Sequence, residues 1–151
     1  GAGVEIGAAL TVRKRDIEEK NRSVYVRGTK TAWRSRTVFV EDWAWPYIEA
    51  ASRGKLPDAP LFVCADGSPA TYYGARAAHL AAISALNFTN GYRIHDSRHS
   101  FAVRCMKAGM DPQVIANNLG HGDASMVLKV YGKHRVTDED RQRARAGMGG
   151  L

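Results

Sequence analysis

The chain has 151 residues, of which 22 are Lys or Arg and 15 are Asp or Glu, so its formal net charge is +7 at pH 7. This length suits one globular domain with its own core, and the basic excess favours a polyanionic partner, most often nucleic acid, over a merely basic surface. The two cysteines, Cys64 and Cys105, form no Cys-x-x-Cys pair, which argues against a disulfide framework or a zinc finger. There is no apolar run near the roughly 20 residues that span a bilayer and no signal peptide, so we expect a cytoplasmic protein without membrane contact.

The first part of the chain predicts one helix end and a small sheet. Residues 3–12 are small and apolar, and we interpret them as the end of a helix that begins before residue 1. Valines alternate with polar residues further on, which is the two-residue period of half-buried strands. Strands are predicted over residues 13–17, 23–27 and 37–40, with a turn at residues 19–21. Residues 28–36 then form a basic connection that carries Lys30, Arg34 and Arg36.

The next stretch predicts two helices separated by loops. A helix is expected over residues 42–53, with Pro46 tolerated because it falls near the first turn. Residues 54–60 are a loop, residues 61–63 a short buried segment, and Asp66-Gly67 a turn. Thr71 is expected to cap a long Ala-rich helix that runs to Leu86, followed by a loop over residues 87–91.

Capping signals define three more helices. His95 leads into a helix that buries Phe101, Ala102, Cys105 and Met106 and ends at Gly109. Asp111-Pro112 begins the next helix, which Gly120 ends.

Asp123 is expected to cap the last clear helix, which ends at Tyr131 and turns Met126, Val127 and Val130 inward. The tail from Val136 is charged and then Gly-rich. The predicted fold class is therefore α+β, a mostly helical domain over residues 1–151 with a small three-stranded antiparallel sheet.

Three short motifs near the end of the chain carry the chemical signal. They are His95-Asp96-Ser97-Arg98-His99, then Leu119-Gly120-His121, then Tyr131. Residues three apart share one face of a helix, and a guanidinium matches the oxygens of a phosphate. Alone, His95 and Arg98 favour a solvated helix start with a capping histidine, and Tyr131 favours a core tyrosine. Together they suggest phosphoryl transfer through a tyrosyl ester.

The spacing of the histidines is similar to that of some metal sites, but it does not match a known zinc signature. His95 and His99 are four residues apart, a spacing that can bind zinc with His121 as a third ligand. No carboxylate or cysteine completes a signature such as His-Glu-x-x-His, so no metal is expected. His79 and His134 are interpreted as structural or solvated.

The residues resemble the catalytic domain of the tyrosine recombinases, the phage integrase family. The resemblance lies in "IHDSRHSFA" (residues 94–102), "NLGHGDASMVLKVY" (118–131) and "GTKTAWRSRTV" (28–38). It covers nearly the whole chain and keeps the order of the family's elements. The combination is specific, although each piece alone would be weak.

The resemblance implies a role for each site residue. Tyr131 attacks the scissile phosphate to form a 3′-phosphotyrosyl bond, and Arg98 stabilises charge on the phosphoryl oxygens. His95 and His121 hydrogen-bond the phosphate and manage protons, and Lys30 acts as general acid. No cofactor is implied. The DNA-contacting residues would be Lys30, Arg34, Arg36 and His99.

Two positions of one motif depart from the family pattern. The family carries an arginine and a glutamate in "TG-x-R-x-x-E-x-x-x-L", whereas this chain has Glu5 and Ala8 there. The frame is fixed by Asp16-Ile17-Glu18, which resembles the family's "DID". A carboxylate about 5 Å from a phosphate repels it by roughly 3 kcal/mol at a dielectric near 20, where an arginine attracts it similarly. The swing of about 6 kcal/mol corresponds to about 10⁴ in rate.

The sequence therefore leaves three functional hypotheses. The first is an enzyme that breaks and rejoins double-stranded DNA together with other recombinase protomers in a synaptic complex. The second is a degenerate recombinase-fold module that binds DNA without efficient cleavage, which Glu5 and Ala8 favour. The third is a topoisomerase-like relative with the same tyrosyl chemistry. The family's DNA-gripping N-terminal domain and first catalytic-domain helix are expected to be absent, and the site of action to be DNA in a bacterial or phage-infected cell.

Overall fold

Three short antiparallel strands form the sheet in the order β1, β2, β3. They are Ile17–Glu18 (β1), Ser23–Val26 (β2) and Arg36–Phe39 (β3). The structure, a computed structural model, describes residues 1–28, 35–88, 91–132 and 142. Val24 pairs with Val38 between β2 and β3, and both are buried. The valine alternation thus sets the register, since a slip by one residue would expose this face.

The helices follow the predicted order. Their bounds are Ile6–Ala9 (α1), Trp45–Ser52 (α2), Tyr72–Ala85 (α3), Asp96–Lys107 (α4), Pro112–Leu119 (α5) and Ser125–Tyr131 (α6). Within the described residues the fold is therefore the expected mostly helical α+β domain with a three-stranded sheet. None of the helices in the described ranges is long and apolar enough to cross a membrane.

The predicted capping signals work as expected in two helices. The hydroxyl of Thr71 accepts the backbone N–H of Gly74 at the start of α3. The carboxylate of Asp111 accepts the N–H of Gln113 at the start of α5, and Gly120 ends that helix with a left-handed backbone. These contacts satisfy backbone groups that a helix end leaves without a partner.

The start of the chain differs from its prediction. The helix begins inside the chain at Ile6 and has only 4 residues. Before it, Gly3 has a positive φ of +65°, which is not helical backbone. A Cβ at Gly3 would lie 2.3 Å from the ring of Phe101. Close packing against α4 therefore decides the backbone here, and the local apolar pattern does not.

The first strand is also shorter than predicted. Residues Lys14–Asp16 form a 3₁₀ turn in place of extended backbone, and the strand begins at Ile17. The Asp16 carboxylate accepts the backbone N–H of Arg13 and is bonded by both terminal nitrogens of Arg27. In this ion pair the Asp16 side chain is buried, whereas that of Arg27 is 36% exposed.

The last helix buries a narrower face than predicted. Val127 and Tyr131, four residues apart, pack into the core. Met126 and Val130 are 50% and 41% exposed, so their assignment to the inner face was wrong. Asp123 does accept the N–H of Ser125, but Ala124 is the N-cap position. The buried stripe is the one that packs against α4 and α5.

Two hydrophobic clusters meet at β3. One lies among α4, α5 and α6 and includes Phe101, Ile115 and Tyr131. The other lies behind the sheet and includes Val26, Val38, Trp45 and Leu61. Val38 belongs to the sheet cluster, whereas its neighbour Phe39 packs against Phe101 with ring centroids 5.5 Å apart. Successive side chains of β3 point to opposite faces of the sheet, so this one strand contributes to both clusters.

Candidate active site

Arg98 lies in the first turns of α4 and is only 8% exposed. Its Nη1 donates to the carbonyl oxygen of Gly3 at 3.0 Å, and its Nη2 lies 3.0 Å from Nε2 of His121. A buried guanidinium is costly unless it is hydrogen-bonded. These partners come from the two ends of the described chain, so the fold itself holds this cation in place.

His121 lies just beyond the end of α5, as the sequence predicts. Gly120 adopts φ +74°, and the N–H of His121 donates to the carbonyl oxygen of Ala116 at 2.9 Å. A guanidinium can only donate hydrogen bonds. Nε2 of His121 is therefore the acceptor in its contact with Arg98, which leaves Nδ1 as the protonated nitrogen of the neutral ring.

Tyr131 ends α6 and is 8% exposed. Burial raises the pKa of its phenol, and the nearby positive charge of Arg98 opposes that rise. The tyrosine and the arginine therefore lie within electrostatic reach of each other. The phenol oxygen is hydrogen-bonded to Nδ1 of His99.

Three rings form a row beside Arg98. The centroids of His95 and His99 are 4.9 Å apart in an edge-on arrangement, and those of His99 and Tyr131 are 5.8 Å apart. His95 is exposed and His99 is half-buried. The row thus runs from the surface at the start of α4 to the buried hydroxyl of Tyr131.

Glu5 lies on the wall of a cavity of about 660 Å³ that also includes His95, Ser97 and Arg98. The rest of the lining is mostly apolar and comes from the sheet cluster and α2. The position that departs from the family pattern therefore lines the same cavity as the arginine and histidine that were predicted to bind phosphate.

Arg36 has a structural contact that its motif did not indicate. Its Nε and Nη2 donate to the carbonyl oxygen of Asn118 at 3.0 and 2.9 Å. A Cβ at Gly120 would lie 2.5 Å from Nη1 of Arg36, so the guanidinium packs on that glycine. Its predicted contact with DNA stays a prediction.

Asn118 is a buried structural residue that the sequence reasoning missed. It is 4% exposed, its Nδ2 donates to the carbonyl oxygen of Ala2 at 2.8 Å, and its Oδ1 accepts the N–H of Phe39 at 3.0 Å. Together with Arg36, it ties the start of the chain and β3 to the end of α5. A polar residue between Ala116 and Leu119, both buried, was the available signal.

The structure brings four predicted site residues together, with a fifth beside them. Arg98 contacts His121, His99 contacts Tyr131, and His95 lies edge-on to His99. Lys30, Arg34 and His134 lie outside the described residues, as does the predicted tail apart from residue 142. The ring of His79 contacts Tyr92, with Nε2 3.0 Å from its carbonyl oxygen. Within the described ranges, no three His, Cys, Asp or Glu side chains are grouped to hold a metal ion.

The sequence matches the Phage integrase family over residues 1–137. The chain belongs to the phage integrase family. This family member is 28% identical to tyrosine recombinase XerC of Methylobacterium nodulans over 99% of the chain and 48% of that protein. It is 44% identical to the putative defective protein IntQ of Escherichia coli, but over only 32% of the chain and 12% of that protein.

Solved structures share the fold of this phage integrase family chain. XerA recombinase superposes with a TM-score of 0.73 at 17% identity, covering 97% of this chain and 54% of that one. The Tn1549 transposon integrase, solved with circular intermediate DNA, gives a TM-score of 0.70 at 20% identity over 99% and 56% of the two chains. The chain spans about half the length of the curated XerC relatives that it matches.

Proposed function

We propose that this domain breaks and rejoins double-stranded DNA in site-specific recombination or integration, with Tyr131 as the nucleophile. The observation that supports this most strongly is the shared environment of a buried arginine and a buried tyrosine. Arg98 is fixed by Gly3 and His121, and Tyr131 is hydrogen-bonded to His99, the residue that follows Arg98 on α4. A fixed cation beside a nucleophile suits an anionic ester that gains charge in the transition state.

The proposed roles follow from the atoms that each residue has available. Arg98 stabilises the phosphoryl oxygens, while His95 and His121 hydrogen-bond the phosphate. Tyr131 forms the 3′-phosphotyrosyl bond, and the 5′-oxygen leaves as a hydroxyl with a proton from Lys30. Rejoining is the reverse, in which a 5′-hydroxyl attacks the phosphotyrosine. Side-chain cations supply the electrostatic stabilisation.

The proposed partner is double-stranded DNA, in keeping with the net charge of +7. The proposed backbone contacts are Lys30, Arg34, Arg36 and His99. We further propose that recombination joins several protomers in a synaptic complex on DNA in a bacterial or phage-infected host cell. The solved transposon integrase is described with circular intermediate DNA, which supports this choice of partner by analogy of fold.

A covalent capture assay tests the proposal and selects the DNA site at the same time. The protein, expressed at the full length that its gene encodes, is incubated with random-sequence duplexes. Each duplex is nicked shortly downstream of the random block, so that the released 5′-hydroxyl fragment diffuses away. DNA that stays attached after SDS denaturation is recovered and sequenced. We expect an adduct enriched in particular sequences and absent from Tyr131→Phe.

A second candidate function is a DNA-binding module that does not cleave. The observation that favours it is the carboxylate of Glu5 on the same cavity wall as His95 and Arg98. Salt-sensitive binding to the same duplexes without any covalent adduct would support this second function and count against the first. Relaxation of a supercoiled plasmid without sequence preference would instead indicate a topoisomerase-like relative.

A further inference from the structure

We infer that His99 is a catalytic residue, the base that takes the proton of Tyr131 as the phenol attacks the phosphate. This rests on the proposed function of Tyr131 as the nucleophile. The observation behind it is the hydrogen bond between Nδ1 of His99 and the phenol oxygen of Tyr131. That oxygen is the reacting atom, and the imidazole nitrogen is its partner.

The buried surroundings of Tyr131 disfavour the phenolate, so attack by this residue requires a base. An ordinary phenol with a pKa of about 10 is ionised about once in 10³ molecules at pH 7. Burial raises the pKa of Tyr131, which makes the free phenolate scarcer still. Proton transfer during the attack removes this limit, because the phenolate need not form beforehand.

His99 is better placed for this than its neighbours on α4. Its ring is half-buried, between His95 on one side and Tyr131 on the other. His95 is exposed and lies edge-on to His99, so its ring is available for the phosphate.

The proton balance of the step is complete. The phenol oxygen forms a bond to phosphorus while its proton moves to Nδ1 of His99. The bond from phosphorus to the 5′-oxygen breaks, and that oxygen takes a proton from the general acid. In the rejoining step the imidazolium returns its proton to Tyr131 as the phosphotyrosyl bond breaks.

The tautomer of His99 tests the inference without DNA. With ¹⁵N-labelled histidine, the NMR signals of His99 are assigned from the spectrum of His99→Asn. We expect the neutral ring to carry its proton on Nε2, with Nδ1 unprotonated and shifted by Tyr131→Phe. A neutral ring with its proton on Nδ1 would overturn the inference, because such a ring donates to Tyr131 and cannot accept its proton.

Two matched variants separate proton transfer from simple positioning in the capture assay. His99→Asn places an amide oxygen close to the position of Nδ1, so this variant keeps a hydrogen-bond acceptor but has no basic nitrogen. His99→Phe keeps an aromatic ring but loses both the hydrogen-bond acceptor and the basic nitrogen. We expect both variants to form adduct about 10²-fold more slowly than wild type, while His79→Asn, at a histidine that contacts Tyr92, has no effect. Near-wild-type rates for His99→Asn would reduce His99 to a positioning residue.

A more acidic nucleophile gives the last control. Fluorinated tyrosine at position 131 lowers the pKa of the phenol and should narrow the gap between wild type and His99→Asn. An unchanged gap would contradict the role as base. If wild type itself forms no adduct on the pool, the proposed function fails and this inference fails with it. If wild type forms adduct and the His99 variants match its rate, only the inference fails.

Discussion

Nη2 of Arg98 lies 3.0 Å from Nε2 of His121, while Nη1 donates to the carbonyl oxygen of Gly3. The arginine is thus fixed at two points by parts of the chain that are far apart in sequence. Such a fixed cation needs no reorganisation when charge develops on a bound phosphate. This contact is therefore the structural basis of the proposed chemistry.

Arg98→Lys tests whether the guanidinium fork is needed. A lysine keeps the charge, but its single ammonium group cannot hold Gly3, His121 and a phosphate in one plane. We expect the rate of adduct formation to fall about 10²- to 10³-fold. Arg104→Lys is the matched control on the same helix, because Arg104 pairs with Glu41 away from the site. Equal rates for Arg98→Lys and wild type would count against the role of Arg98.

Glu5→Arg tests the departure from the family pattern. Replacing a carboxylate by a cation on the cavity wall should stabilise the phosphate and raise adduct yield, by up to about 10⁴-fold. Ala8→Glu is added in a second variant to orient the new arginine. Tyr131→Phe must remain inactive in both backgrounds. An unchanged yield from Glu5→Arg would mean that the site already works with a glutamate at this position.

The salt dependence of DNA binding tests the proposed contacts of the basic connection. The slope of log K against log salt concentration is negative, and each phosphate contact that is removed makes its magnitude smaller by about one. We expect Arg34→Gln to lower this magnitude by about one. Arg36→Gln should lower it less, because Arg36 already donates to Asn118. Binding that does not vary with salt would contradict an electrostatic interface.

Asn118→Leu tests the link between the start of the chain, β3 and α5. The change removes the side-chain bonds to the half-buried backbone groups of Ala2 and Phe39. We expect the free energy of unfolding to fall by about 2–4 kcal/mol. Asn117→Leu is the control, since Asn117 is exposed on the next position of the same helix. Equal stability of the two variants in urea would contradict the proposed link.

The Asp16–Arg27 ion pair predicts a loss of stability in acid. Burial opposes ionisation of Asp16, but the bonds from Arg27 and from the N–H of Arg13 outweigh it, so the pKa of Asp16 lies below its usual value. The stabilisation is therefore complete above the unfolded pKa of about 4 and is lost as the pH falls through the lower folded pKa.

Asp16→Asn should remove this stabilisation. We expect this variant to have a free energy of unfolding about 2 kcal/mol lower than that of wild type at neutral pH. The difference should shrink below about pH 4, where Asp16 of the wild type becomes protonated. Urea unfolding at several pH values measures both the loss of stability and its dependence on pH. A difference that is independent of pH down to acid conditions would show that the pair contributes only through packing.

Local signals in the sequence predicted most of the elements. Thr71, Asp111 and Gly120 mark helix ends by contacts within a few residues, and the valine alternation marks β2 and β3. Such short-range features can be recognised from the order of residues alone, because the contacts that they form lie next to each other in the chain.

Contacts between distant residues were the part that the sequence could not predict. The bond from Arg98 to Gly3 and the bonds of Asn118 to Ala2 and Phe39 join residues far apart in the chain. The same holds for Arg27, whose bonds to Asp16 replaced part of the first predicted strand by a 3₁₀ turn. The motif also gave no sign that His99 meets Tyr131, since that contact depends on how α4 and α6 pack.

Mapping the captured DNA on the protein is the sharpest test of Tyr131 as the nucleophile. The adduct from the random pool is digested with trypsin and nuclease, and the modified peptide is located by mass spectrometry. We expect a nucleotide joined through its 3′-phosphate to Tyr131, together with a released strand that carries a free 5′-hydroxyl. Attachment at any other residue, or a 5′-phosphate linkage, would contradict the proposed chemistry.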